Sequence, residues 1–396
     1  MRNLFFICNA LDDETRLERD IVTDSPAASR KVFLLSKALQ KAGVRALVLS
    51  LGRGKQDGSG RYFRGKVRRV DGVPVIYLPF FHFPVLSELL TLFSSVPVLW
   101  RLHRKKTEKT ALFYNRMPAY LPLLFFAKIL RIETVLDLED GATDLNPRSL
   151  SGAKSRLLSR LFDALCSGGA LLACHALESA TKLRPTLCCY GTSETQSVTA
   201  RWDLSPVTVL LGGTVSNDTG APLLINAISI LRERAPSWAG NIRFQITGKG
   251  DCLERFKALA DNPGIPEIIV HGRTTDEEYR QILAETHVGL ALKPNSGALA
   301  DTTFPSKVIE FAGQGILVVT TDISDVRKVL ADGAIYLEAD DSELLIEKLR
   351  WIVENHDAAN ALSLNGVQAV SAVCAPERVG QMLGNFLFKS LTGAQQ

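Results

Sequence analysis

The 396-residue sequence lacks the marks of several protein classes. It has no Cys-x-x-C spacing, and its seven cysteines (Cys8, Cys166, Cys174, Cys188, Cys189, Cys252 and Cys374) are odd in number. Most lie in apolar surroundings, so they read as buried free thiols of a reducing cytosol rather than a disulfide framework. Histidines number six, and there is no Asp-x-Asp pair or His/Cys cluster that demands a metal. No low-complexity tract is present. The apolar start, Leu4 to Cys8, runs straight into Asp12, Asp13 and Glu14; it is too short for a signal peptide and fits a first β-strand. No recognised nucleic-acid module appears, so no nucleic-acid partner is expected.

What is present is a globular composition, 46% hydrophobic and 22% charged, in a chain long enough for two domains. The net charge of +4 hides an asymmetry. Residues 1–200 carry 29 Lys/Arg against 18 Asp/Glu, a net of +11, and the rest carry 17 against 24, a net of −7. A basic first half calls for an anionic partner: a membrane surface, a lipid diphosphate or an acidic glycan.

Strand-like runs alternate with helical ones from the start. Leu4 to Cys8 leads through a polar loop over 9–25 to a helix opened by Ser25-Pro26 and closed at Gly43, and then to a strand at Val44 to Ser50. Strand, helix, strand predicts a parallel βαβ unit. Residues 51–69 are rich in Gly, Arg and Lys, and read either as a solvated loop or as a basic lip for phosphates and lipid headgroups. Val85 to Trp100 is apolar with Glu88 its one charge, and it ends in Arg101-Leu102-His103-Arg104-Lys105-Lys106. It is shorter than the roughly 20 residues a spanning helix needs and is interrupted by Pro97. It suits a membrane interface over 84–106; a core helix followed by a solvated charge run is the alternative. The strand Thr134 to Leu138 delivers Glu139-Asp140-Gly141 to the carboxyl end of a parallel sheet, where such sheets bind ligands. A helix is expected over 176–183. Gly191 to Pro206 reads as a linker, with a strand following at Val207.

The second half centres on residues 303–320. Pro305 fits a first helical turn, Lys307 adds a cation there, and Glu310 lies one turn later on the same side. A helix start can hold a phosphate, and a carboxylate can accept bonds from sugar hydroxyls. Gly313 and Gly315 end the helix before the buried strand Ile316 to Val319. Earlier strand ends carry Gly212-Gly213-Thr214 and Gly248-Lys249-Gly250, whose glycines let a backbone approach a ligand. His271 and His287 read as structural.

Pro305, Ser306, Lys307, Glu310, Phe311, Gly315, Val318 and Val319 resemble the donor-binding signature of family-4 retaining glycosyltransferases of bacterial surface-polysaccharide type. The resemblance implies an α/β GT-B fold: two Rossmann-like domains facing across a cleft, with a C-terminal helix crossing back to the first. It implies an acceptor domain at 1–195, a nucleotide-sugar domain at 196–375 and the returning helix at 376–396. In this reading Lys307 and the N–H groups around Ser306 hold the diphosphate, Glu310 holds the ribose, and Glu139 or Asp140 faces the reacting sugar or acceptor. Gly212, Gly213, Thr214, Gly248, Lys249, Gly250, Arg273, Asp301, Thr302 and Pro305 complete the donor set. Thr302 stands where the family carries its first Glu, Glu139 where His or Arg is common, and Gly213 and Thr219-Gly220 where a basic pair is usual.

The implied activity is transfer of a sugar from a nucleotide-diphosphate-sugar to a glycan or lipid-linked acceptor in surface polysaccharide (lipopolysaccharide) biosynthesis. It would retain configuration without a metal or other cofactor, in the cytoplasm or on the inner face of its membrane. A GT-B-fold sugar-nucleotide epimerase and a degenerate, non-catalytic nucleotide-sugar binder are the alternatives.

Overall fold

The computed structural model describes residues 2–54, 60–103, 107–141, 149–193, 201–295, 300 and 302–388. The chain divides into two compact units. One runs from the start to Thr192 and takes in the segment from Pro376 on; the other spans Ser193–Ala375.

The first unit is built on strands β1 (Arg2–Cys8), β2 (Arg45–Ser50), β4 (Lys66–Val70), β5 (Val73–Tyr77), β7 (Glu108–Tyr114), β8 (Glu133–Leu138), β9 (Ala170–Leu172) and β10 (Thr186–Cys188), with β3 (Tyr62–Phe63) and β6 (Phe80–Phe81) forming a separate two-stranded ribbon. The sheet order is β10-β9-β8-β7-β1-β2-β5-β4, parallel except for the β4–β5 hairpin. That hairpin turns on Asp71 (φ 49°) and Gly72 (φ 85°), the Asp-Gly pair that a tight primed turn requires. The chain order reverses between β1 and β7, so the carboxyl ends of these strands and of β8 flank the ligand-binding position of an open α/β sheet. The core is the apolar face formed by Leu4, Phe6, Val48, Leu112, Val135 and Leu171 under the helix Pro26–Lys41.

The helix Pro376–Leu387 belongs to this unit, burying Val379, Leu383 and Leu387. It crosses the helix Pro26–Lys41 closely enough that a Cβ on Gly380 would lie 2.0 Å from the Ala38 carbonyl. Lys41 and Glu377 bridge the same pair at 3.0 Å.

Two local expectations are corrected here. The 9–25 segment contains a helix, Asp13–Glu18, because Asp12 caps it by accepting from the Thr15 N–H and Asp13 and Glu14 favour its N-terminal dipole. No α-helix forms over 176–183; His175–Ala180 makes 3₁₀ turns and Thr181 is extended, with its hydroxyl bonded to Asp163 at 2.8 Å.

The second unit carries a wholly parallel sheet of β11 (Val207–Thr214), β12 (Ile242–Lys249), β13 (Glu267–Gly272), β14 (Val288–Ala291), β15 (Leu317–Thr321) and β16 (Ala334–Leu337), in the order β13-β12-β11-β14-β15-β16. The reversal falls between β11 and β14. Val209, Leu211, Phe244, Ile246, Leu290 and Val319 face the helices Ala221–Arg234 and Ser342–Glu354. The helix Lys307–Gly313 packs on β14 through Phe311, which sits where a Cβ on Gly289 would be, at 2.3 Å. Glycine at 289 therefore fixes how close that helix lies to the switch point. With an open, mainly parallel sheet in each unit, the chain has a mixed α/β fold.

Candidate active site

The helix expected to begin at Pro305 begins at Lys307. Thr303 is held in a bridge, and the Pro305 carbonyl accepts from the Val308 N–H at 3.0 Å, so Pro305 and Ser306 form a tight turn ahead of the helix. Ser306 is exposed and makes no side-chain cap bond. The consequence is local. Lys307 and Glu310, three residues apart, project from one helical turn toward the end of β11.

There the two meet Tyr279, from the helix Asp276–Glu285. The Lys307 ammonium donates to the Glu310 carboxylate at 2.5 Å and to the Tyr279 hydroxyl at 2.7 Å, and that hydroxyl lies 3.4 Å from the same Glu310 oxygen. The ammonium also stands 4.6 Å over the Tyr279 ring. Burial alone would lower the Lys307 pKa, but the Glu310 carboxylate and the Tyr279 hydroxyl outweigh it and hold the ammonium above its ordinary range.

The glycines make room for this triangle. A Cβ on Gly213 (φ 107°) would lie 3.4 Å from Lys307 Cε, and one on Gly212 would lie 3.5 Å from the Tyr279 hydroxyl. Gly248 (φ 121°) approaches so closely that its Cβ would lie 1.7 Å from the Gly213 carbonyl. Thus Gly212, Gly213, Gly248, Lys307 and Glu310 are brought together at the carboxyl ends of β11 and β12. Thr214 and Lys249 pair across the same two strands, and Gly250 packs against Val215.

Arg273 lies instead on a cavity of about 320 Å³ beside edge strand β13, with Gln245, His271, Glu278 and Gln281. Gln245 Oε1 is buried there without a hydrogen-bond partner, and burial lowers the His271 pKa. Thr302 precedes the Pro305 turn, and Asp301, with Ser296 and Gly297, lies outside the described residues. His287 is structural: its Nδ1 accepts from the Thr208 N–H at 3.0 Å in a buried site.

In the first unit, Glu139 follows β8 and is met by Lys31, from the helix Pro26–Lys41. The Lys31 ammonium donates to Glu139 and stands 3.9 Å from Asp137 Oδ1. All three side chains are largely buried, and Asp137 Oδ2 has no hydrogen-bond partner. Asn115, in the left-handed region at φ 60°, braces the turn: its N–H donates to the Asp137 carbonyl at 2.7 Å, and its Oδ1 accepts from the Glu139 N–H at 3.1 Å. Burial, with Asp137 adding to it, outweighs Lys31 and pushes Glu139 up to about 8. The same carboxylates overcome the burial of Lys31 and hold it protonated. Asp140 is exposed beside this cluster.

Sequence reasoning saw in Glu278-Tyr279, after Gly272-Arg273, only a resemblance to the family's segment beside the base, and it did not single out Lys31. Tyr279 carried a faint signal, a polar-tipped aromatic on the buried face of a helix that begins just past a strand end; Lys31 carried none, because only the tertiary fold brings it to Glu139.

Part of the basic lip is paired within its own unit. Arg61 pairs with Asp20 at 3.1 Å, Lys66 with Glu18, and Arg68 with Glu14 and, at 3.8 Å, with Asp12. The acidic segment 12–20 therefore pairs with three of the lip's cations within the unit. Arg19, completely buried, donates to the carbonyls of Gly52, Leu78 and Arg64 and ties the loop down.

Two open, mainly parallel sheets, one with a cation and a carboxylate poised at a glycine-lined strand end, make this a mixed α/β chain with ligand-binding positions at its strand ends. Comparisons with known proteins agree. Residues 205–355, in the second half of the chain, match the family model "Glycosyl transferases group 1". A curated relative, a component of the phosphatidylinositol N-acetylglucosaminyltransferase of Arabidopsis thaliana, is 22% identical over 336 residues, covering 80% of this chain and 69% of its own. Among solved structures, Anabaena HepE in complex with UDP-glucose superposes with a TM-score of 0.69 at 15% identity, over 99% of this chain and 100% of that one. Sucrose-phosphate synthase from Thermosynechococcus elongatus gives 0.68 at 14% identity, covering each chain completely. The chain has the glycosyltransferase fold over nearly its full length.

Proposed function

We propose that this protein is a family-4-like hexosyltransferase that moves a sugar from a UDP-sugar to a glycan or lipid-linked saccharide in surface polysaccharide biosynthesis, with retention of configuration. The observation that carries the reading is the Lys307–Glu310–Tyr279 triangle beside Gly212-Gly213 at the sheet's switch point. A diphosphate leaving group needs positive charge, and Lys307 is a protonated amine with no side chain from Gly213 in front of it. Arrival of the phosphates draws that ammonium off Glu310, which is then free to accept from the ribose hydroxyls. Lys307 supplies the charge in this reading, so no resident metal is called for. The cavity bearing Arg273, Gln245 and His271 receives the base; Gln245 Oε1 offers an acceptor still without a donor. The UDP-bound HepE structures favour uracil as that base.

Glu139 and Asp140 serve the acceptor or the reacting sugar. A carboxyl held near neutrality suits proton transfer at a hydroxyl. A lipid-linked acceptor met at the inner face of the cytoplasmic membrane is in keeping with the phosphatidylinositol named in the Arabidopsis relative.

The test is a thermal-shift panel of nucleotides and nucleotide-sugars on wild type and Glu310→Ala. At 100 times its dissociation constant, a donor should stabilise the wild type by about 2.7 kcal/mol and leave the variant unmoved. If no nucleotide shifts the wild type, the donor site is wrong. Turnover of the donor with no acceptor present would instead favour an epimerase.

A further inference from the structure

The helix Pro84–His103 is inside out. Its outward stripe is Leu86, Leu89, Phe93, Pro97 and Trp100, spaced at three and four residues, with Phe93 71% and Trp100 50% exposed. Its hidden stripe is Ser87, Thr91, Ser95 and Leu99. The Thr91 and Ser95 hydroxyls bond only to carbonyls of their own helix, and Ser87 Oγ has no partner. A single exposed leucine on a water-facing helix is ordinary, but an outward face of large apolar residues over an inward row of hydroxyls is the reverse of what water selects. The neighbouring helix Leu121–Ile129 continues the surface. Trp100 and Phe126 pack with ring centroids 6.3 Å apart, and Phe125 and Ile129 stand out beyond them, each more than half exposed.

We infer that this two-helix face docks on an anionic lipid bilayer. The charges around it favour that occupant. Glu88 is the one carboxylate in the sequence of the two helices, whereas Arg101, Lys128 and Arg131 stand exposed at their ends. Trp100 directly followed by cations is the order found where a helix meets the headgroup layer. A second copy fits worse, because a two-fold contact would set the same cations against one another. No helix among the described residues is long and apolar enough to cross a membrane, so this one lies on the surface. The inference rests on the glycosyltransferase reading only for what the docked enzyme does there, namely reach a lipid-linked acceptor.

The experiment is flotation of the full chain with vesicles of phosphatidylcholine alone or with phosphatidylglycerol, for wild type, Phe93→Gln/Trp100→Gln and Arg101→Glu/Arg131→Glu. All substituted side chains are exposed, so thermal unfolding should stay within a few degrees of wild type. Wild type should partition at least tenfold more onto the anionic vesicles. The apolar pair should reduce binding to them at least tenfold, and the charge pair should abolish the preference for them. Wild type that stays at the bottom, or an apolar variant that floats as well as wild type, overturns the inference. So does a wild-type dimer, by light scattering, that becomes a monomer on Phe93→Gln/Trp100→Gln: the occupant is then a second copy. The UDP-induced thermal shift is read on the same proteins. Flotation without that shift would sink the donor reading and leave this one standing.

Discussion

Replacing Lys31 with methionine tests the buried cluster after β8 most sharply. The substitution keeps volume and removes the charge, leaving Asp137, 1% exposed, and Glu139 without a counter-ion. At the 3.9 Å between Lys31 and Asp137, and an effective dielectric of about 20, Coulomb's law gives about 4 kcal/mol for that contact alone. Breaking a buried pair by removing one partner costs about 3–5 kcal/mol, in the same range. The pH dependence separates this from lost packing. Glu139 is raised from its ordinary 4.5 to about 8, so between those values the folded protein keeps a proton that the unfolded chain has released. Wild-type stability therefore falls as pH rises through that window and levels off above it. Without Lys31 the folded pKa climbs further, and the fall continues past pH 8 at about 1.4 kcal/mol per pH unit. Urea unfolding at pH 6, 8 and 9 reads both effects. The expected result is a loss of about 3–5 kcal/mol at pH 8 and a gap that widens by pH 9. A variant within about 1 kcal/mol of wild type throughout, or one whose gap is the same at pH 8 and 9, refutes the charge assignment.

Three other tests bear on the donor site and on the loop over 51–69. Tyr279→Phe removes the hydroxyl that accepts from Lys307; at about 1 kcal/mol for that bond, UDP affinity measured by calorimetry should fall about fivefold with little change in melting temperature. Gly248→Ala should cost more than about 3 kcal/mol, because its Cβ would lie 1.7 Å from a backbone oxygen at φ 121°; Gly240→Ala, with nothing within 4 Å, should be neutral in the same thermal melt. Arg19→Met leaves the carbonyls of Gly52, Leu78 and Arg64 without their donor, a loss of about 3 kcal/mol at about 1 kcal/mol each; limited proteolysis should then cut the 51–69 segment faster.

What could be read from the sequence was what local chemistry determines. Parallel α/β architecture followed from apolar β-branched runs alternating with helical periods, because a strand buried on both faces has few other compositions. The glycines at 212, 213 and 248 could be read as close approaches, and at 213 and 248 the positive φ, with a backbone oxygen 1.7 Å from a Cβ at 248, disfavours any side chain. The start of the Lys307 helix was misplaced by two residues because proline's preference for a first turn is also satisfied by the turn before it, and a bridge at Thr303 settled the choice. The charge count pointed the basic lip outward, because a sum of lysines and arginines is blind to the acidic helix Asp13–Glu18 that folds against them. Lys31 was invisible for the same reason: a lysine on a helix reads as solvated until the fold brings two carboxylates to it. The helix Pro84–His103 shows the limit most plainly. Its apolar residues and its hydroxyls both recur at helical spacing, so the pattern carries two stripes and no label for which one faces the sheet. The fold turns the hydroxyls inward, and the apolar stripe that sequence reasoning would ordinarily assign to a core is the one left facing outward.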